Sequence, residues 1–112
     1  MRRTLELYLA LAVACLAGIA HADYSYVTID VPNTIETTAY GIDGGTIVGS
    51  YSAAADNKGF IYNGSSFTTL SVPGTGNMPG TIATGISGST VVGYYAYTGS
   101  IYHGFIYDGT TY

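Results

Sequence analysis

Apolar positions along this chain fall into two regimes. From Leu5 to Ala20 they run on with Glu6 as the one charged interruption, whereas beyond residue 22 they come in short runs separated by Gly, Pro, Asn, Asp and Ser. Within those runs the side chains alternate: Leu70 and Val72 point to one side of an extended chain, Thr69 and Ser71 to the other. β-branched and aromatic residues fill the runs and turn formers fill the gaps, which is the pattern of short strands. No segment after residue 22 has a helical period. The expected fold class is all-β.

The strands repeat. Gly41-Ile42-Asp43-Gly44-Gly45-Thr46-Ile47-Val48-Gly49-Ser50-Tyr51 returns 44 residues later as Gly85-Ile86-Ser87-Gly88-Ser89-Thr90-Val91-Val92-Gly93-Tyr94-Tyr95. Gly59-Phe60-Ile61-Tyr62-Asn63-Gly64 returns at a spacing of 45 as Gly104-Phe105-Ile106-Tyr107-Asp108-Gly109. Thr28-Ile29-Asp30-Val31-Pro32 returns at a spacing of 41 as Thr69-Leu70-Ser71-Val72-Pro73, and the drift in spacing places insertions in loops, chiefly around residues 76–80. Three blocks kept in order define a unit of about 45 residues, the period range of solenoids and propeller blades.

Each unit holds four predicted strands. In the first unit these are strand a over 37–42, strand b over 46–52, strand c over 59–62 and strand d over 67–72, with turns at Asp43-Gly44-Gly45 and Asn63-Gly64 and a polar loop through Asp56-Asn57-Lys58. Val48 points away from Ile47 and Tyr51, so strand b is apolar on both faces and belongs between packed sheets. Gly49 and Gly93 fall in mid-strand, where a missing side chain lets a neighbour approach closely.

Ile47-Val48-Gly49, Val91-Val92-Gly93 and His103-Gly104-Phe105 resemble the signature of the HAF family of extracellular repeats, found in exported bacterial proteins: a glycine-rich strand ending in Val-Val-Gly, then a His-Ala-Phe triplet. Glycine replaces the alanine here, and the first unit departs further with Lys58-Gly59-Phe60. The resemblance covers nearly all of residues 24–112. It implies export and a four-stranded repeat like a propeller blade, and no activity.

The units are out of phase with the chain. A strand d copy at residues 24–32 comes first, unit one spans 37–73, and unit two spans 81–112 and stops as its own strand d begins. Two blades are too few for a propeller ring, which typically has four to eight. The expected architecture is therefore antiparallel four-stranded repeats forming a fragment of a propeller or an incomplete one, with residues 24–31 pairing against Gly104–Tyr107. A small eight-stranded sandwich or barrel is the alternative.

The long apolar regime reads differently. Arg2 and Arg3 precede it and Ala20-His21-Ala22 closes it, the order of a secretory signal peptide over residues 1–22 with cleavage after Ala22. The run is short of the roughly 20 apolar residues a membrane span needs. A retained anchor, or a lipoprotein signal acylated at Cys15, is the lesser reading, since Ala12 is small for such a signal and the run continues past Cys15. A secreted, periplasmic or cell-surface location follows, with no membrane association after signal removal.

Charge and chemistry narrow the partners. Beyond residue 22, Lys58 is the one basic side chain, against Asp23, Asp30, Glu36, Asp43, Asp56 and Asp108. Nucleic acid is excluded, because phosphate binding needs several Lys or Arg contacts. The same segment has no cysteine, so disulfides add nothing to its stability. His103 is its one histidine, which leaves no multi-histidine metal site and no triad, and its expected role is structural. The acids are scattered through turns, where Asp and Asn cap backbone amides. Asp56-Asn57 falls short of the six or more oxygens that calcium takes, and no carboxylate pair is spaced for glycoside hydrolysis. No catalytic residue, cofactor or metal site is expected.

Tyrosine is the conspicuous excess: twelve in all, of which only Tyr8 precedes residue 23. Tyr94, Tyr95, Tyr97 and Tyr102 cluster around strand b of unit two and the loop after it. A ring with a hydroxyl suits protein contacts or stacking on sugars. Alternation puts Tyr95 and Tyr97 on one face and Tyr94 on the other, so at least one is expected to be exposed. The sequence thus points to a non-enzymatic exported repeat module, structural or mediating contacts, whose partners are further repeats, itself, or a glycan held by those tyrosines. A part of a larger secreted propeller enzyme is the remaining reading.

Overall fold

Strand-forming runs bounded by glycine turns become, in a computed structural model of the chain, two antiparallel sheets. The described residues are 23–54, 56–74, 80–97 and 100–112; the expected signal peptide lies outside them. Sheet 1 contains β1 (Glu36–Asp43), β2 (Thr46–Ala53), β3 (Asp56–Tyr62) and β4 (Phe67–Leu70). Sheet 2 contains β5 (Gly80–Ser87), β6 (Thr90–Ala96) and β7 (Tyr102–Tyr107). Each is a meander in sequence order, all-β among the described residues, and both sheets are open.

The repeat is reproduced down to its irregularities. Gly44 and Gly88 both take φ of 61° at the first position of two-residue hairpin turns, a left-handed conformation that suits glycine. The pairing shifts between Ala39 and Gly41 and, equivalently, between Ala83 and Gly85, so each first strand carries a bulge. A Cβ on Gly49 would overlap the Thr38 carbonyl oxygen and press on Ala39 and the Phe60 ring. One on Gly93 would do the same to Ile82, Ala83 and Phe105. These mid-strand glycines are therefore fixed by packing.

The sheets stack face to face, with β5 laid across β1, β2 and β3. Gly41 and Gly85 let the two first strands approach: a Cβ on Gly41 would stand 3.2 Å from the Gly85 Cα. Val48, Leu70 and Val72 from the first unit join Ala83, Val91 and Phe105 from the second in one buried cluster, with Ile61, Ile86, Tyr95 and Tyr107 packed at its margin. Hydrogen bonds also fasten the stack, among them one from the Ser71 amide to the Tyr112 hydroxyl at 2.9 Å. The Val72 amide donates to Thr81 Oγ1 at 3.0 Å, and the Gly88 amide donates to Asp43 Oδ2 at 2.6 Å.

Register shows which faces meet. Val48 opposes Ile61 and Gly59 opposes Leu70, so these share the inner face of sheet 1. In sheet 2 the inner face carries Val91, Tyr107, Ala83 and Phe105. By the 44-residue spacing, Val48 corresponds to Val92 and Ile47 to Val91, yet Val48 and Val91 are the fully buried members of those pairs. The two units therefore stack head to tail, each using the opposite face of the same repeat.

Several expectations need correction. Strand c begins at Asp56, three residues earlier than the polar loop suggested, because Asp56, Asn57 and Lys58 pair with Ala53, Ser52 and Tyr51. Strand d ends at Leu70. Residues 23–31 lie in no strand, so the expected pairing of residues 24–31 with Gly104–Tyr107 is not formed, and among the described residues β6 is the one strand beside β7. Seven strands are present among the described residues rather than eight, and the barrel alternative does not hold because neither sheet closes on itself.

Candidate interaction surfaces

Alternation along β6 and β7 divides the tyrosine cluster between the two faces of sheet 2. Tyr94 and Tyr102 lie on the outer face, ring centroids 5.6 Å apart and planes at 79°. They line a shallow hollow of about 340 Å³. Tyr95 lies on the inner side, 5.5 Å from Tyr97 at 88° and 5.4 Å from His103 at 31°. Tyr94, Tyr97 and Tyr102 are exposed and Tyr95 is half-buried. The rings meet edge to face, so they form no flat platform of the kind a sugar ring stacks on. Desolvation, with the neighbouring Tyr97 adding to it, raises the Tyr95 phenol above its ordinary pKa. His103 is exposed and packs against the Tyr95 and Tyr97 rings.

The outer face of sheet 2 is otherwise apolar. Val92 and Ile106 oppose each other across β6 and β7 and are 42% and 62% exposed. The outer face of sheet 1 is apolar as well: Ile42 is 66% exposed, and with Ala39, Tyr40, Gly41 and Ile47 it lines a hollow of about 310 Å³. Exposed apolar area on both ends of a stack is the usual sign of an interaction surface.

A third feature lies along the free edge of β7. Val72, Gly93, Tyr95, Gly104, Phe105, Ile106 and Tyr112 surround an open groove of about 640 Å³. Its counterpart in sheet 1 is filled: β4 runs beside β3, and the Leu70 side chain covers Gly59 with its Cβ 3.2 Å from where a glycine Cβ would be. Gly59 is buried under Leu70 and against Ala83 of sheet 2, whereas Gly104 is exposed on the outer face of sheet 2 with no strand beside it on that edge among the described residues. Tyr112 stands where Phe67 stands in sheet 1. Phe67 packs on Phe60 and Tyr62 at 5.5 and 4.5 Å, and Tyr112 on Phe105 and Tyr107 at 5.7 and 4.8 Å. The Tyr112 hydroxyl accepts a hydrogen bond from the Ser71 amide, while burial raises its pKa.

The acids divide. Asp108 caps its own turn, accepting from the Thr110 and Thr111 amides at 2.8 Å each, as Asn63 accepts from Ser65 and Ser66 at 2.9 Å. Those donors, Thr111 foremost, hold the Asp108 carboxyl below the usual range. Asp43 departs from the expected local role by reaching across to the Gly88 turn of the other unit. The Asp56 side chain lies outside the described part of the structure. Among the described residues, no three of His, Cys, Asp and Glu come together as a metal site.

The sequence placed Gly104 in a strand expected to pair with residues 24–31, and the groove arises because that pairing is not formed, whereas its twin Gly59 lies beside β4. A signal was present in the alignment of Thr69-Leu70-Ser71-Val72 with residues 28–31, which marks a strand whose partner edge must be somewhere. No family model, curated protein or solved structure matches this chain.

Proposed function

We propose that this chain is an exported, non-enzymatic β-repeat module that works by contact, at the cell envelope or outside the cell. Its units act as blades of an incomplete propeller, in keeping with the HAF resemblance. The observation that carries this reading is the pair of exposed apolar sheet faces, Val92 with Ile106 at one end of the stack and Ile42 with Ile47 at the other. A rigid sheet presents these side chains in fixed register, and burying them against a partner removes them from water at about 25 cal/mol per Å². The glycan reading draws support only from exposure of the tyrosines, since their edge-to-face geometry suits protein contact better. Export is tested by the intact mass of protein recovered outside the cytoplasm, which should correspond to a chain starting at Asp23; recovery of residues 1–22 with the protein overturns it. A glycan array that returns hits abolished by Tyr102→Ala would reverse the order of the two contact readings.

A further inference from the structure

The contact between the two units is one that the outer faces of the stack can repeat. The inner face of sheet 1 (Val48, Ile61, Leu70) packs on the inner face of sheet 2 (Val91, Tyr107, Ile86). Moved by one repeat, the first set becomes Val92, Ile106 and the strand d position, which is the exposed outer face of sheet 2. The second set, moved back, becomes Ile47, Tyr62 and Ile42 on the outer face of sheet 1, where Ile42 is exposed and Ile47 and Tyr62 are half-buried. Each end of the stack is thus shaped for the other end of the same chain.

The free segment before β1 fits the same operation. The Val31 amide donates to Thr37 Oγ1 at 3.1 Å, as the Val72 amide donates to Thr81 Oγ1 at 3.0 Å. Residues 28–31 therefore sit relative to β1 as the end of strand d sits relative to β5. They stand where strand d of a preceding unit would be, and they are open to solvent there: Tyr26 is 90% and Val27 83% exposed. Among the described residues, no strand lies along β7 as β4 lies along β3.

We infer that a second copy of this chain docks head to tail, its sheet 1 outer face on the first copy's sheet 2 outer face and its residues 27–31 laid along β7. The repeat sets the register. Gly59 opposite Leu70, Phe60 opposite Thr69 and Ile61 opposite Thr68 become Gly104 opposite Ile29, Phe105 opposite Thr28 and Ile106 opposite Val27. Tyr112 already holds the Phe67 place, so the donated strand starts at Val27. This is edge-strand addition, in which main-chain hydrogen bonds give affinity and alternate side chains give specificity. The contact differs from the internal one at one end. Glu36 replaces Gly80, and Tyr94 and Tyr102 replace Ser50 and Asn57, so ring hydroxyls able to donate to a carboxylate stand where backbone meets backbone inside the chain. A heterologous contact of this kind grows into a ring or a filament, whereas a two-fold contact would stop at a dimer.

The inference deepens the contact reading by naming the partner, and it stands or falls by assembly state, whereas the export reading stands or falls by mass. Sedimentation velocity over a concentration series is the first test, with species larger than a dimer expected. The second uses Ile106→Lys, which spoils the sheet 2 end, and Ile42→Lys, which spoils the sheet 1 end; circular dichroism verifies that both remain folded. Each variant alone should sediment as a monomer, with self-affinity reduced at least tenfold. Mixed, they should form a one-to-one heterodimer through the two intact ends, and adding Ile29→Asp to the Ile106→Lys chain should weaken that heterodimer by tenfold or more. A wild-type chain that stays monomeric overturns the inference. So does an Ile42→Lys chain that dimerises with itself, or a mixture that stays monomeric. A heterodimer indifferent to Ile29→Asp overturns the strand donation.

Discussion

Val48 and Val92 occupy the same place in the repeat, yet Val48 is fully buried and Val92 is 42% exposed. Their neighbours reverse the relation, since Val91 is fully buried while Ile47 is half-buried. The backbone treats the two units alike, in turn, bulge and mid-strand glycine, so the difference arises wholly from what is stacked on each face. Local sequence builds the sheet, and position in the stack decides which of its two apolar faces becomes core.

That comparison breaks most severely at the glycines. Replacing Gly49 or Gly93 with alanine sets a Cβ against a carbonyl oxygen and a strand Cα, contacts that cannot be relieved by turning a side chain. Overpacking of this kind costs about 1–3 kcal/mol where side chains can adjust, and more where backbone must move. Both variants should lose their cooperative thermal transition or show it strongly lowered. A Gly93→Ala chain as stable as wild type would mean the second unit does not share the geometry of the first.

The valines sharpen it. Val48→Ala removes buried methyl groups and should destabilise by about 2 kcal/mol, whereas Val92→Ala should stay within about 0.5 kcal/mol in the isolated chain. Denaturant unfolding at low protein concentration measures both, and equal losses would remove the head-to-tail account of burial.

The smallest effect concerns the turns. Asn63 does not titrate, but Asp108 holds its two amides as a carboxylate. Its pKa is lowered in the folded chain, so its contribution is present above the ordinary carboxylate pKa and is lost as pH falls through the lower folded value. The Thr110 and Thr111 amide resonances should shift with acid at an apparent pKa below the ordinary carboxylate value, while those of Ser65 and Ser66 should not follow that titration. Asp108→Asn should abolish the response, and a midpoint at or above the ordinary value would contradict the capping geometry.

Much of this fold was legible in the residues. Glycine and asparagine turns marked the strand ends and β-branched runs marked the strands, but the two-sided apolar pattern of Ile47-Val48 suggested a strand between packed sheets, whereas sheet 2 covers the Val48 face and the Ile47 face lies outward. The repeat itself hid the rest. Because Thr69-Leu70 and Thr28-Ile29 read alike, sequence cannot tell a strand that has an edge to pair with from one that has none. Asp43 looked like any turn aspartate, since its partner Gly88 is 45 positions away and is brought near only by stacking. The tyrosines were correctly divided between faces by alternation, but the angle between their rings depends on rotamers that spacing does not encode.

The left-handed turns at Gly44 and Gly88, one of them gripped by an aspartate from the neighbouring unit, have a consequence for how such a chain can change in size. Unit one holds both halves of this joint, Asp43 and Gly44, so a copy of it could grip the next turn as Asp43 grips Gly88, whereas unit two has Ser87 in the aspartate's place. Growth by a copy of unit one then keeps the turn-to-aspartate joint, while the positions at which the units differ decide which copies can follow which. Length in this architecture is an adjustable quantity, and the selective constraint falls on the joint instead of on the number of pieces joined.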